Sequence, residues 1–388
     1  MSVRPTYAHI DLDAITNNFA AIVSRVGGRV NGPEVIAVVK ANGYGHGALP
    51  VARALEVAGA GMLACADIEE AVELRGGGVR APILVFGALS VSELDGIFSH
   101  GLTPTISSPY AARALGDAAT RRGARVSCHL KIDTGMNRLG FRYDNLNRTM
   151  PDVLPCPGLE IDAVYTHFAT ADDVTHPLFD LQRARFKDAL MCLDGLGVHP
   201  RLRHAANSAA LLRDRNSWFE AVRPGLLLYG VHPPGFSGSL PLRPAMAVRS
   251  RVVAVKGMRI GETSGYGART PVARPTTVAV VPAGYADGLD VRTAGRGAAI
   301  VRGQKVPVVG AVSMDSMTID VTGVDVSPGD EVVLIGSQNG TRIGVDEVAE
   351  ALGTVPQEIL CRTGSRISRS YDRPLGNVSA RPQRAGVV

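Results

Sequence analysis

Lysine is scarce in this chain. Of 388 residues only Lys40, Lys131, Lys187, Lys256 and Lys305 are lysine, and arginine supplies most of the positive charge. Cysteine is sparse too. Cys65, Cys128, Cys156, Cys192 and Cys361 stand far apart, with no Cys-x-x-Cys pair. An odd, dispersed set argues against a disulfide framework or a zinc site, and for reduced thiols in a cytoplasmic protein. No window approaches the roughly 18 apolar residues of a membrane span. The N-terminus, Met1-Ser2-Val3-Arg4-Pro5, has no apolar signal-peptide core. The net charge of +5 is scattered, without basic runs interleaved with aromatics, so nucleic acid is not an expected partner. No dinucleotide-binding fingerprint stands near the first long apolar strand.

What is present is rhythm. Residues 7–11 alternate like a short strand, and residues 13–26 have helical spacing with Asp13 as a candidate N-cap. Strand patterns then fall at residues 35–39, 62–65, 83–86, 103–106, 126–132, 161–165, 203–206 and 218–222. Helical patterns lie between most of them, at 48–58, 68–75, 109–121 and 177–196. Eight strands alternating with helices predict an α/β class, with an N-terminal (β/α)8 TIM-like barrel. After Pro233-Pro234-Gly235 the helices largely stop. Strand patterns follow at 247–255, 276–281, 298–301, 305–309, 316–321 and 330–335, and only 345–352 reads as a helix. This predicts a C-terminal all-β domain. The tail from Leu375 lacks periodicity and is expected to be mobile.

One stretch concentrates the chemistry. Residues 35–39 form an apolar, largely β-branched run that stops at Lys40, followed by a loop with glycine at alternate positions. An ammonium at the end of a buried strand must be paired, hydrated or chemically used. From spacing alone, either it snorkels into solvent or it forms a Schiff base with a carbonyl cofactor.

Ala37-Val38-Val39-Lys40-Ala41-Asn42-Gly43-Tyr44-Gly45-His46-Gly47 resembles the cofactor motif of bacterial alanine racemases, enzymes of fold-type III. The resemblance implies that Lys40 carries pyridoxal 5′-phosphate and that Tyr44 touches its phosphate. Lys131-Ile132-Asp133-Thr134-Gly135-Met136-Asn137-Arg138 resembles a second family motif. It implies that Arg138 approaches the cofactor's phenolic oxygen and the substrate carboxylate. Lys131 matches a lysine that is sometimes carbamylated in the family. Thr166-His167-Phe168-Ala169 implies a His167 that polarises the catalytic tyrosine. His204-Ala205-Ala206-Asn207-Ser208 implies Asn207 beside the ring and Ser208 on the phosphate; read from residues alone, either is a plain helix N-cap. Arg223-Pro224-Gly225-Leu226 implies Arg223 at the pyridine nitrogen, with the Gly225 and Leu226 amides on the phosphate.

Three later segments resemble the family's β-domain motifs. Gly265-Tyr266-Gly267 implies Tyr266 as second catalytic base, with Gly265 where the family usually has serine. Tyr285, Met314 and Asp315 are implied substrate contacts. A family tyrosine that reaches the phosphate is replaced here by Ser365, and Tyr371 lies beyond it.

The implied activity is interconversion of L- and D-alanine by Lys40 and Tyr266 as two bases, supplying D-alanine for peptidoglycan. A racemase of serine or of a broader range, or a fold-type III decarboxylase, is the alternative. The resemblance divides the chain into a barrel at 12–243 and a β domain of 2–11 with 244–374. It also implies a homodimer in which each β domain covers the partner's barrel mouth.

Overall fold

The computed structural model describes residues 4–89 and 94–372. The expected mobile tail, 375–388, lies outside the described residues, as do residues 2, 3, 373 and 374 of the expected β domain. Two sheets organise the chain.

The first sheet is a closed parallel barrel. Its strands are Glu34–Val38, Met62–Cys65, Ile83–Val85, Thr103–Ile106, Val126–Asp133, Leu159–Tyr165, Leu202–His204 and Ala221–Val222. Closure comes from pairing of Thr103–Ile106 with Val126–Asp133 at one seam, and of Ala221–Val222 with Glu34–Val38 at the other. Parallel strands covered on both faces need continuous apolar runs, and Met62–Cys65 is buried at every position. Alternation still sorts the side chains. Ile36 and Val38 point with Met62, Ala64, Leu84 and Ala221 into one half of the barrel interior. Val35, Ala37 and Val39 belong to the large core shared with the surrounding helices. Burying a side chain such as Ile36 contributes roughly 2 kcal/mol.

The other half of the interior is polar. Thr105, His129, Lys131, Tyr165 and His204 are all buried there. Most buried groups of this kind are hydrogen-bonded, though the Nε2 of His129 has no partner among the described residues. Tyr165 Oη lies 3.0 Å from Thr105 Oγ1, and its ring stacks on His204 with centroids 4.7 Å apart.

The second sheet is ten-stranded. Tyr7–Ile10 runs antiparallel to Met246–Arg251 and parallel to Ser368–Tyr371, so the N-terminal strand is built into the sheet of the C-terminal half. Several local expectations are corrected. Asp11, not Asp13, caps the first helix, Leu12–Arg25, accepting from Ala14 N at 2.7 Å. The single strand expected at 247–255 is two, Met246–Arg251 and Ala254–Met258, which pair with different neighbours. Besides Val345–Leu352, a second helix, Pro356–Cys361, begins with proline, whose fixed φ suits a first turn. Strand-like residues 218–220 lead into Ala221–Val222 from a 3-10 turn, Arg215–Ser217, so that strand is short. Among the described residues no helix is long and apolar enough to cross a membrane.

Candidate active site

The barrel strands deliver their C-terminal ends to one mouth, where this architecture places chemistry. A cavity of about 440 Å3 opens there. Lys40, Tyr44, Arg138, His167, Asn207, Ser208, Arg223, Gly225 and Leu226 all line it, as do Lys131 and Cys361.

Lys40 does not continue its strand. It opens a tight turn in which Ala41, Asn42, Gly43 and Tyr44 have φ of 53, 53, 61 and 51°. Left-handed backbone costs an L-residue roughly 1–2 kcal/mol, so this turn is strained. Side chains hold it. Glu70 accepts from Ala41 N at 2.6 Å, and Asn42 Oδ1 accepts from Ala48 N at 2.8 Å. Tyr44 stacks on Tyr229, whose ring also packs against His46. Burial, and then the Arg138 charge, lower the Lys40 amine below its ordinary value.

Arg223 is the hub of the cavity floor. It is buried, which depresses it to about 10, so it remains a cation at neutral pH. Its Nη1 donates to His204 Nδ1 at 2.7 Å. Its Nη2 donates to Thr166 O at 2.8 Å, Ala205 O at 3.0 Å and His167 Nδ1 at 3.3 Å. Guanidinium only donates, so both histidines accept at Nδ1 and carry their protons on Nε2. His204 Nε2 then donates to His129 Nδ1 at 3.0 Å. Burial and the Arg223 charge hold His167 and His204 far below the usual histidine range, so both stay neutral.

Arg138 sits on a loop shaped by Asp133, whose Oδ1 accepts from Gly135 N at 2.9 Å and Asn137 N at 3.0 Å. Lys131 stands below it, lowered to about 8 by burial and then by Arg138. Asn207 is committed as an N-cap, accepting from Ala210 N at 3.0 Å. Ser208 Oγ accepts from Gly225 N at 3.0 Å and Leu227 N at 3.4 Å. A Cβ at residue 225 would collide with Tyr44 Oη, so only glycine brings that backbone against the tyrosine.

The β-domain residues are elsewhere. Tyr266 is 80% exposed and lines a separate concavity with Ser264, Ala311 and Ser313. Gly265 has φ of 82°, and a Cβ there would strike Ala311, which accounts for glycine at that position. Tyr285 and Met314 are brought side by side: Tyr285 N donates to Ser313 O at 3.0 Å, and Ala286 N to Met314 O at 3.1 Å. Asp315 pairs with Arg366 at 2.7 Å. Ser365 is exposed and, like Tyr371, does not line the barrel cavity. Tyr371 Oη donates instead to His46 O at 3.1 Å.

Sequence reasoning missed roles for Glu70, His129 and Tyr165, and did not place Cys361 at the cavity. His204 lay inside a quoted motif without a role, and its strand-end position was the only available signal.

Residues 10–233 match the alanine racemase N-terminal domain family, and residues 245–371 match the alanine racemase C-terminal domain family. Alanine racemase 2 of Caldanaerobacter subterraneus subsp. tengcongensis is 40% identical over 372 residues, covering 95% of each chain. Among solved structures, the alanine racemase of a D-cycloserine-producing Streptomyces lavendulae aligns at a TM-score of 0.90 and 34% identity, covering 97% of this chain and 99% of that one. The alanine racemase of Bacillus anthracis with bound L-Ala-P aligns at 0.88 and 36% identity, covering 96% of each. With both domains matched in order and relatives spanning nearly the whole chain, this protein belongs to the alanine racemase family.

Proposed function

We propose that the chain interconverts L- and D-alanine with pyridoxal 5′-phosphate held on Lys40. One observation carries this reading: every cofactor contact expected from the barrel motifs lines a single cavity. The cavity suits the cofactor. Lys40, Lys131, Arg138 and Arg223 crowd it with positive charge, and the Gly225 and Leu227 amides converge on one acceptor oxygen, the arrangement an anion needs. Pyridoxal phosphate, when bound, supplies an aldehyde that condenses with amines and a ring that takes up the electron pair left by a departing α-proton.

The chain's residues do the rest. Burial favours the neutral Lys40 amine, which can take a proton on one face of the substrate. Arg223 can only donate, so a ring nitrogen facing it stays an acceptor and unprotonated. That limits electron withdrawal and favours returning the proton over rerouting the electrons. His167, accepting at Nδ1, keeps an Nε2–H with which to stabilise a tyrosine oxyanion. The second base is Tyr266. Its exposure supports a site completed by the β domain of a second copy, a C2 homodimer with each mouth covered by its partner. Tyr285, Met314 and Asp315 share that exposed face and would meet the alanine carboxylate opposite Arg138. The Asp315 charge is offset by Arg366.

The solved relative with bound L-Ala-P supports an alanine-sized substrate. The five free thiols support a reducing, cytoplasmic setting. A decarboxylase reading has no support in the cavity, where a guanidinium, not a carboxylate, forms the floor. Borohydride reduction of the loaded protein, followed by peptide mapping, tests the proposal. A pyridoxyl group is expected on the peptide containing Lys40; label on Lys131 or Lys256 would contradict it.

A further inference from the structure

The strained turn that carries Lys40 is held from outside the barrel. At its exit the turn presents a row of carbonyls, those of Gly43, Tyr44, Gly45 and His46, and buried carbonyls need donors. Side chains supply them in sequence. His46 Nδ1 lies 3.1 Å from Gly43 O and 2.8 Å from Tyr44 O. Arg369 Nε donates to Gly45 O at 2.7 Å, and Tyr371 Oη donates to His46 O at 3.1 Å.

The last two donors belong to the strand Ser368–Tyr371, in the β-domain sheet. That strand is fixed by parallel pairing with Tyr7–Ile10. Arg369 is fixed as well: Nη2 donates to Thr363 O at 2.7 Å, and Nη1 to Ile367 O at 3.1 Å and Gly364 O at 3.4 Å. The guanidinium therefore bolts one loop to another. The approach is close enough to require glycine on the barrel side. A Cβ at residue 47 would strike Tyr371 Oη, and one at residue 45 would strike Leu360 O.

We infer that Arg369 and Tyr371 are positioning residues that hold the Lys40 turn in its left-handed form. The β domain thus has two duties in two directions. Its C-terminal strand sets the lysine of its own barrel, while its exposed Tyr266 face is free for a partner. The inference rests on Lys40 being the cofactor lysine, and it concerns a contact that neither substrate nor cofactor makes.

Hydrogen exchange reads the turn directly. The amides of Gly43, Gly45, His46 and Gly47 are bonded within it, to Val39 O, Ala41 O, Gly43 O and Asn42 O. Exchange is to be measured on full-length apo and loaded protein, for wild type, Arg369→Gln, Arg369→Lys and Tyr371→Phe. Loss of a charged bond at Gly45 O should speed exchange at these four amides by about tenfold. Amides of the strand Met62–Cys65 should not change. Pyridoxal phosphate, titrated by its visible absorbance, should bind about tenfold more weakly, and Arg369→Lys should recover part of both effects. Tyr371→Phe removes a single hydroxyl and keeps the test open if Arg369→Gln does not fold. Unchanged exchange at the four amides in a folded variant overturns the inference, as does faster exchange spread equally over the barrel strands. Faster exchange confined to the turn supports it even if wild-type labelling misses Lys40, an outcome that would overturn the cofactor reading instead.

Discussion

Lys40 and Tyr266 do not meet within one chain. Lys40 lines the barrel cavity, whereas Tyr266 stands exposed in a separate concavity of the β domain. Two bases on opposite faces of one substrate must lie a few ångströms apart. Either the β domain swings, or a second chain brings its own Tyr266. The bonds of Arg369 and Tyr371 to the Lys40 turn oppose swinging, because they tie the β domain to its own barrel.

Arg223→Glu tests the cavity floor. The carboxylate cannot donate to Thr166 O, Ala205 O or His204, so stability should fall by about 2–4 kcal/mol. It would also favour a protonated cofactor ring. Racemisation should drop on the order of 100-fold while conversion of the cofactor to pyridoxamine phosphate rises. Normal racemisation without that product would contradict the role given to Arg223.

Lys131 should become carbamylated. Burial and Arg138 bring it to about 8, so a substantial fraction is a neutral amine able to add carbon dioxide. The anionic product would relieve the crowding of cations around Arg138. Carbon-13 NMR with labelled bicarbonate should show a carbamate signal that grows as pH rises through about 8 and vanishes in Lys131→Gln. A signal that survives that substitution would place the modification elsewhere.

Acid should weaken the fold before the carboxylates titrate. His46 and His129 are buried and held near 4 by desolvation, below the ordinary value of 6.5. The folded state therefore binds fewer protons than the unfolded chain between those values. Their stabilisation is full above about pH 6.5 and is lost as pH falls toward about 4, on the order of 3 kcal/mol for each. The urea midpoint should decline across that window. A flat midpoint would contradict this: it requires that His46 and His129, and with them the buried His167 and His204, all titrate normally in the folded state.

The barrel was legible because its strands are short apolar runs between amphipathic helices, a pattern that survives errors of a residue or two. The N-cap shifted from Asp13 to Asp11 because both acids precede the same helix, and only the backbone decides which side chain reaches Ala14 N. The break between Arg251 and Ala254 was not legible, since two adjacent apolar strands read as one. The motifs that carry the family resemblance named residues that do come together in the barrel cavity. They did not find Glu70, His129 or Arg369, which act by holding other residues and carry no local signature. Nor does a linear motif say which chain Tyr266 serves.

Subunit exchange between Lys40→Ala and Tyr266→Ala homodimers measures that directly. Each homodimer should be nearly inactive. If the site is shared, a heterodimer has one site carrying both lesions and one site intact. Random mixing places about half of the subunits in heterodimers, so alanine racemisation should recover to roughly a quarter of the wild-type rate when sites act independently. No recovery, with exchange demonstrated by mass, would show that Lys40 and Tyr266 act within a single chain.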